Sequence, residues 1–169
     1  MKLNYTFSVN PPNPPKEVRL AGVVQHTYNE FMLDLPDHWK SYPGPDSNTL
    51  NLHSEKEGAA IILSVQFFEI PAEKAEEFAD VNVNSRIAAH EQQSPTRVEV
   101  LRRSVKPHSG GVGLEMSYAA EVSGENVFLY VGYVTRRKVL NLLMVCKPSR
   151  EEAARLFNSA MRGFRPKLP

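Results

Sequence analysis

The chain has 169 residues, 41% hydrophobic and 23% charged, with a formal net charge of +1. That length and apolar content suit one domain with a sizeable core. The near-zero net charge excludes a broad basic field of the kind that holds nucleic acid. The single cysteine, Cys146, excludes an intramolecular disulfide and a cysteine-built zinc cage.

No run of roughly 18 apolar residues occurs, so no membrane-crossing helix is expected. The first residues lack the continuous apolar stretch of a signal peptide, and the expected compartment is the cytoplasm.

In chain order, Leu3, Tyr5, Phe7 and Val9 alternate with Lys2, Asn4, Thr6 and Ser8, which predicts a half-buried strand. The NPPNPP that follows, ending at residue 15, favours an extended polyproline II spacer, because proline fixes φ and lacks the amide donor. An isolated strand has neither a pairing partner nor a buried face. Residues 1–9 are therefore expected to add to a sheet edge, either that of a partner copy in a homodimer or, by folding back, their own.

EVRLAGVVQHTYNEFMLDLP reads as two strands joined near Tyr28-Asn29-Glu30, with Phe31, Leu33 and Leu35 on one face. Pro36 stops the second, and YPGPDSN reads as a loop. TLNLHSE and GAAIILSVQFFEI are strands around a polar turn at residues 55–58. In the second of them, Ile61, Leu63, Val65 and Phe67 make one apolar face, and Ile62, Ser64, Gln66 and Phe68 a mixed one.

A long helix is predicted from about Pro71 to about Gln92, with Pro71 suited to the first turn and Glu73, Glu76 and Glu77 near the positive end of its dipole. Its apolar stripe of Ala75, Phe78, Ala79, Val83 and Ile87 is narrow, and NVNS supplies poor helix formers to its middle.

Beyond QQSPT the pattern is strand: Val98, Val100 and Leu101 in one, then Leu114, Met116, Tyr118, Ala120 and Val122 alternating in the next. SGEN is a hairpin turn. Residues 127–134 are apolar apart from Gly132, and TRRK turns the chain into residues 139–145. Strands this apolar are covered on both faces. In the last helix, Ser149 and Glu152 form a capping box, Ala153, Leu156, Phe157, Ala160, Met161 and Phe164 recur at helical spacing, and Gly163 is expected to end the helix in the left-handed conformation.

The strand-Pro-x-x-Trp of Leu35 to Trp39, the order of elements after it, and the terminal Met161-x-Gly163-Phe164-Arg165 resemble the PsbP-like and DcrB-like family over residues 31–165. The resemblance implies an α+β fold, a central antiparallel sheet packed with helices as an α/β/α sandwich, to which the N-terminal strand is an addition. It also implies a domain that binds other proteins and does no chemistry. Bacterial relatives in type VI secretion act as adaptors that hold effector segments on a concave apolar sheet face.

The chemistry-bearing residues agree with a non-catalytic reading. Pro36 breaking a strand and Trp39 plugging the end of the sandwich accounts for Asp37-His38-Trp39 better than a proton-transfer pair, since tryptophan supplies a large buried area at one position. His26, His38, His53, His90 and His108 show no i, i+2 or i, i+4 pair, which leaves a metal site only to His26, His53 and a carboxylate brought together in space, and the expectation is no metal and no cofactor. SGGVGLE leads into a strand, where a phosphate cradle would open a helix. Cys146 is in phase with Leu140, Leu142 and Met144 and reads as a core residue.

The expectation is a bacterial protein-binding domain, an adaptor, chaperone or immunity protein linked to type VI secretion. Its candidate partner-binding residues are Tyr118, Tyr130 and Tyr133 in a shallow groove and Arg136, Arg137 and Lys138 at a hairpin tip facing an acidic partner. The alternative is a small-molecule-binding or hydrolytic protein with a cleft near His26, His38 and His53.

Overall fold

The structure is a computed structural model that describes residues 16–42, 44, 46, 48–93, 97–147 and 149–168. Residues 1–15, with the expected N-terminal strand and spacer, lie outside the described residues.

Two antiparallel sheets stack face to face. The smaller holds β1 (Lys16–Leu20), β2 (Val23–Tyr28), β3 (Phe31–Pro36) and β11 (Phe164–Pro166), in the order β1-β2-β3-β11. The larger holds β4 (Lys40–Tyr42), β5 (Thr49–Ser54), β6 (Ala59–Phe67), β7 (Val98–Pro107), β8 (Leu114–Val122), β9 (Asn126–Val134) and β10 (Lys138–Cys146). Their order is β4-β5-β6-β10-β9-β8-β7. A 3-10 turn (Ala72–Lys74) leads into α1 (Ala75–Gln93), and α2 (Arg150–Arg162) precedes β11. The fold is α+β with antiparallel pairing throughout, as the sequence predicts.

Strand alternation gives the large sheet two apolar faces and therefore two cores. On one face Leu50, Leu52, Ile61, Leu63, Leu129, Leu140 and Leu142 pack against Phe31, Leu33 and Leu35 of the small sheet, Trp39 in the segment between β3 and β4, and Phe157 of α2. On the other, Met116, Tyr118, Tyr130, Val134 and Val139 pack against Ala79 and Val83 of α1. Trp39 is buried at 2% exposure, the structural role expected of it.

Three local readings change. The first of the two strands expected in EVRLAGVVQHTYNEFMLDLP is a hairpin: Ala21 and Gly22 both have positive φ, so β1 turns back onto β2. Lys40–Tyr42, within and just before the predicted loop, pairs with β5 as an edge strand. β7 extends beyond the expected Val98, Val100 and Leu101 to Pro107, with Leu101 at a register shift, so Arg102 and Arg103 lie within an edge strand.

The end of α2 also differs. Ser149 accepts from the Glu152 amide at 3.4 Å, but the Glu152 carboxylate pairs with Arg155 and does not reach back, which leaves half a capping box. Gly163 has φ −94°, not the left-handed conformation. Glycine is needed there for close approach: a Cβ would overlap the Asp34 carbonyl oxygen, where Asp34 donates its amide to the Gly163 carbonyl at 2.9 Å.

Candidate functional site

The six candidate partner-binding residues separate in space. Tyr118 and Tyr130 are buried under α1, and Tyr133 is buried on the opposite face of the large sheet, so the three do not line one groove. Lys138 is also buried, paired with Glu30 and donating to the Lys167 carbonyl. Arg136 and Arg137 do reach the surface together.

Their hairpin tip is fixed by Thr135, whose hydroxyl accepts from the amides of Arg137 and Lys138, each at 3.2 Å. The Arg136 carbonyl accepts from the Ile70 amide at 3.3 Å, which ties the tip to the segment entering α1. Beside this junction lies a cavity of about 610 Å³ between the first turn of α1 and the β7–β8 hairpin. Ile70, Val105, Val112, Leu114 and Val134 make it mainly apolar, and Glu76, Lys106 and Arg136 add charge. A second hollow of about 430 Å³, lined by Glu69, Ile70, Pro71, Arg136 and Arg137, shares Ile70 and Arg136 with the first. All 19 acidic side chains of the chain fall among the described residues. None forms an ion pair with Arg136 or Arg137.

The predicted histidine cleft forms in part. His38 and His53 line a hollow of about 470 Å³ with Asp37, Lys40, Tyr42 and Glu55. His38 Nε2 lies 3.1 Å from Glu57, and the Tyr42 hydroxyl 3.5 Å from His53 Nδ1. His26 is buried within β2 and does not line it. Among the described residues no three histidine, cysteine or carboxylate side chains gather as metal ligands. Burial pushes the Cys146 thiol up to about 11, so it stays protonated at neutral pH and is a poor nucleophile.

Sequence reasoning missed a polar network between α1 and the large sheet. Asn82 donates to the Tyr130 hydroxyl at 3.1 Å, and that hydroxyl donates to Asn141, whose amide lies 3.4 Å from Ser64. Gly132 makes the room, because a Cβ there would overlap the Tyr130 hydroxyl. His90 Nε2 meets the Tyr118 hydroxyl at 2.8 Å, and the Arg86 guanidinium lies over the Tyr130 ring at 4.2 Å. Burial drives the Tyr130 hydroxyl well above its ordinary pKa and Tyr118 to about 12. Burial, then the charge of Arg86, lowers that of His90. The usable signal was Asn141 inside an apolar strand: a buried amide needs partners.

These layers define an α+β sandwich of two antiparallel sheets with a helix on each face of the larger one. No protein-family profile matches the sequence, and no curated protein matches it. The chain nevertheless has a PsbP-like fold. It is similar to the solution structure of cyanobacterial PsbP (CyanoP) from Synechocystis sp. PCC 6803, with a TM-score of 0.62 and 16% identity, across 88% of this chain and 95% of that one. At that identity the likeness is one of fold alone. Among the described residues no helix is long and apolar enough to cross a membrane.

Proposed function

We propose that the chain is a non-catalytic protein-binding domain whose partner seats an apolar side chain in the cavity beside α1 and an acidic residue against Arg136 and Arg137. The observation that supports this reading is an apolar hollow opening next to two exposed guanidinium groups with which no acidic side chain among the described residues forms an ion pair. Such a pairing of an anchor pocket with uncompensated charge favours a protein surface of opposite charge. An adaptor or chaperone role linked to type VI secretion, implied only by the family resemblance of the sequence motifs, is the finer expectation.

The test compares affinity capture from the native host by the wild-type chain, by Arg136→Glu/Arg137→Glu, and by Val112→Asp, which puts a carboxylate in the cavity. Expected is one stoichiometric partner held by the wild type, released by rising salt, and lost in both variants with the melting temperature kept. A partner held equally by all three proteins refutes the site.

The alternating sequence of residues 1–9 is the ground for a second, separate expectation, that those residues are exchanged in a homodimer. Light scattering over a range of concentrations, on the full chain and on one starting at Lys16, decides it. A full chain that stays monomeric removes the exchange.

A further inference from the structure

The face of the large sheet that carries α1 is only half covered. α1 packs on β7 and β8 and reaches β9 through side-chain contacts with Phe128 and Tyr130. Toward the other edge the register sets Tyr42, Asn51, Ile62, Leu143 and Tyr130 in one row across β4, β5, β6, β10 and β9. Along that row Tyr42 is 51% exposed and Ile62 38%, whereas Tyr130 lies under the Arg86 side chain. Arg86 thus stands at the margin where the helix stops covering the sheet. Its Nε is buried without an acceptor, and among the described residues, which include every acidic side chain, it has no ion pair. A guanidinium held half-buried without a counter-ion gains most from a carboxylate that meets it in bidentate fashion.

We propose that Arg86 is the receptor for a side-chain carboxylate on a peptide segment of another protein, laid along the open side of α1 across Ile62 and Leu143. Charge selects an acidic residue. The floor selects a peptide over an alkyl chain. Asn51, Ser64 and Gln66 project from the same face as Ile62. An alkyl ligand would strip them of water without replacing a hydrogen bond, while a peptide backbone can donate and accept there. The field of Arg86 on its neighbours is consistent with an uncompensated charge, since it lowers the pKa of His90 and works against the rise at Tyr118 and Tyr130. This site is distinct from the cavity at Arg136 and stands or falls apart from it.

The test titrates the isotopically labelled full chain with acetyl-Leu-Glu-Leu-amide, with acetyl-Leu-Gln-Leu-amide and with sodium acetate. It follows the Arg86 Nε–H resonance and the methyl groups of Ile62 and Leu143. The glutamate peptide is expected to shift all three saturably and to bind about tenfold tighter than the glutamine peptide, the scale of one charge-assisted contact. Arg86→Gln should erase that discrimination. Because truncating Arg86 also removes its packing on Tyr130, Ile62→Asp serves as a second variant. It leaves Arg86 in place, supplies a competing carboxylate, and should abolish binding of the glutamate peptide. Equal affinity for the two peptides, unmoved resonances, or an acetate response as strong as that of the glutamate peptide would overturn the proposal.

Discussion

The two helices of this chain are held by different physics. α2 has 13 residues, a side-chain cap at Ser149, and a stripe that buries Ala153, Phe157 and Ala160 between the sheets. α1 has 19 residues yet buries only Ala79 and Val83. Its position comes instead from side-chain bonds: Asn82 to Tyr130, His90 to Tyr118, and Asp80 and Asn84 to Arg103. A helix with a wide apolar stripe completes a core, because burial is non-directional and rewards area. A helix placed by directional bonds covers only the strands that carry its partners, and the sheet beside it stays open. The candidate surfaces both lie beside α1.

That contrast can be broken by mutation. Phe157→Ala should cost about 3–5 kcal/mol in urea unfolding, the usual range for an emptied aromatic site in a core. Phe78→Ala on α1, a half-buried ring that packs edge-on against the 39%-exposed Phe68, should cost less than half as much. Equal losses would erase the distinction between the helices. Tyr130→Phe keeps the ring and removes the hydroxyl shared by Asn82 and Asn141. It should cost about 1–3 kcal/mol, the penalty of buried amides left without a partner. A neutral result would mean that the network does not hold α1.

Ser149→Ala should lower stability by about 1 kcal/mol through the lost cap, measured by the same unfolding curve. The smallest effect is a pH dependence. The folded pKa of His90 is depressed, so the unfolded chain binds its proton more readily. Its contribution is complete above the ordinary histidine range and is lost as pH falls through that range to the lower folded value. The melting temperature should fall over that interval in the wild type and fall less in His90→Gln. Parallel curves for the two proteins would exclude the linkage.

Much of this architecture was legible from residue pattern. The alternation of Ile61, Leu63 and Val65, the two-faced apolar run of residues 127–134, and the helical spacing from Ala153 to Phe164 each report burial directly. What escaped were features decided at a distance. β11 is three residues long and is a strand only because Phe164, Arg165 and Pro166 meet Leu33, Met32 and Phe31. Lys40–Tyr42 pairs for the same reason, despite having no buried residue of its own. Lys138 looked like part of a basic tip, but Glu30 lies over a hundred positions away in sequence and no local pattern announces it. For the candidate site, exposed arginines at a turn were readable, whereas the cavity beside them joins α1, β7, β8 and β9 and exists only in three dimensions.

The pairing of β11 with β3 also bears on synthesis. Strands β1 to β3 are made first, yet the sheet they begin is completed by Phe164–Pro166. The apolar side of that sheet, with Phe31, Leu33 and Leu35, is covered only once the large sheet and α2 exist. Pairing across so long a loop is slow to form. A nascent chain would therefore display these three residues until synthesis had passed Pro166. During that interval a holding factor would protect it from association with other chains.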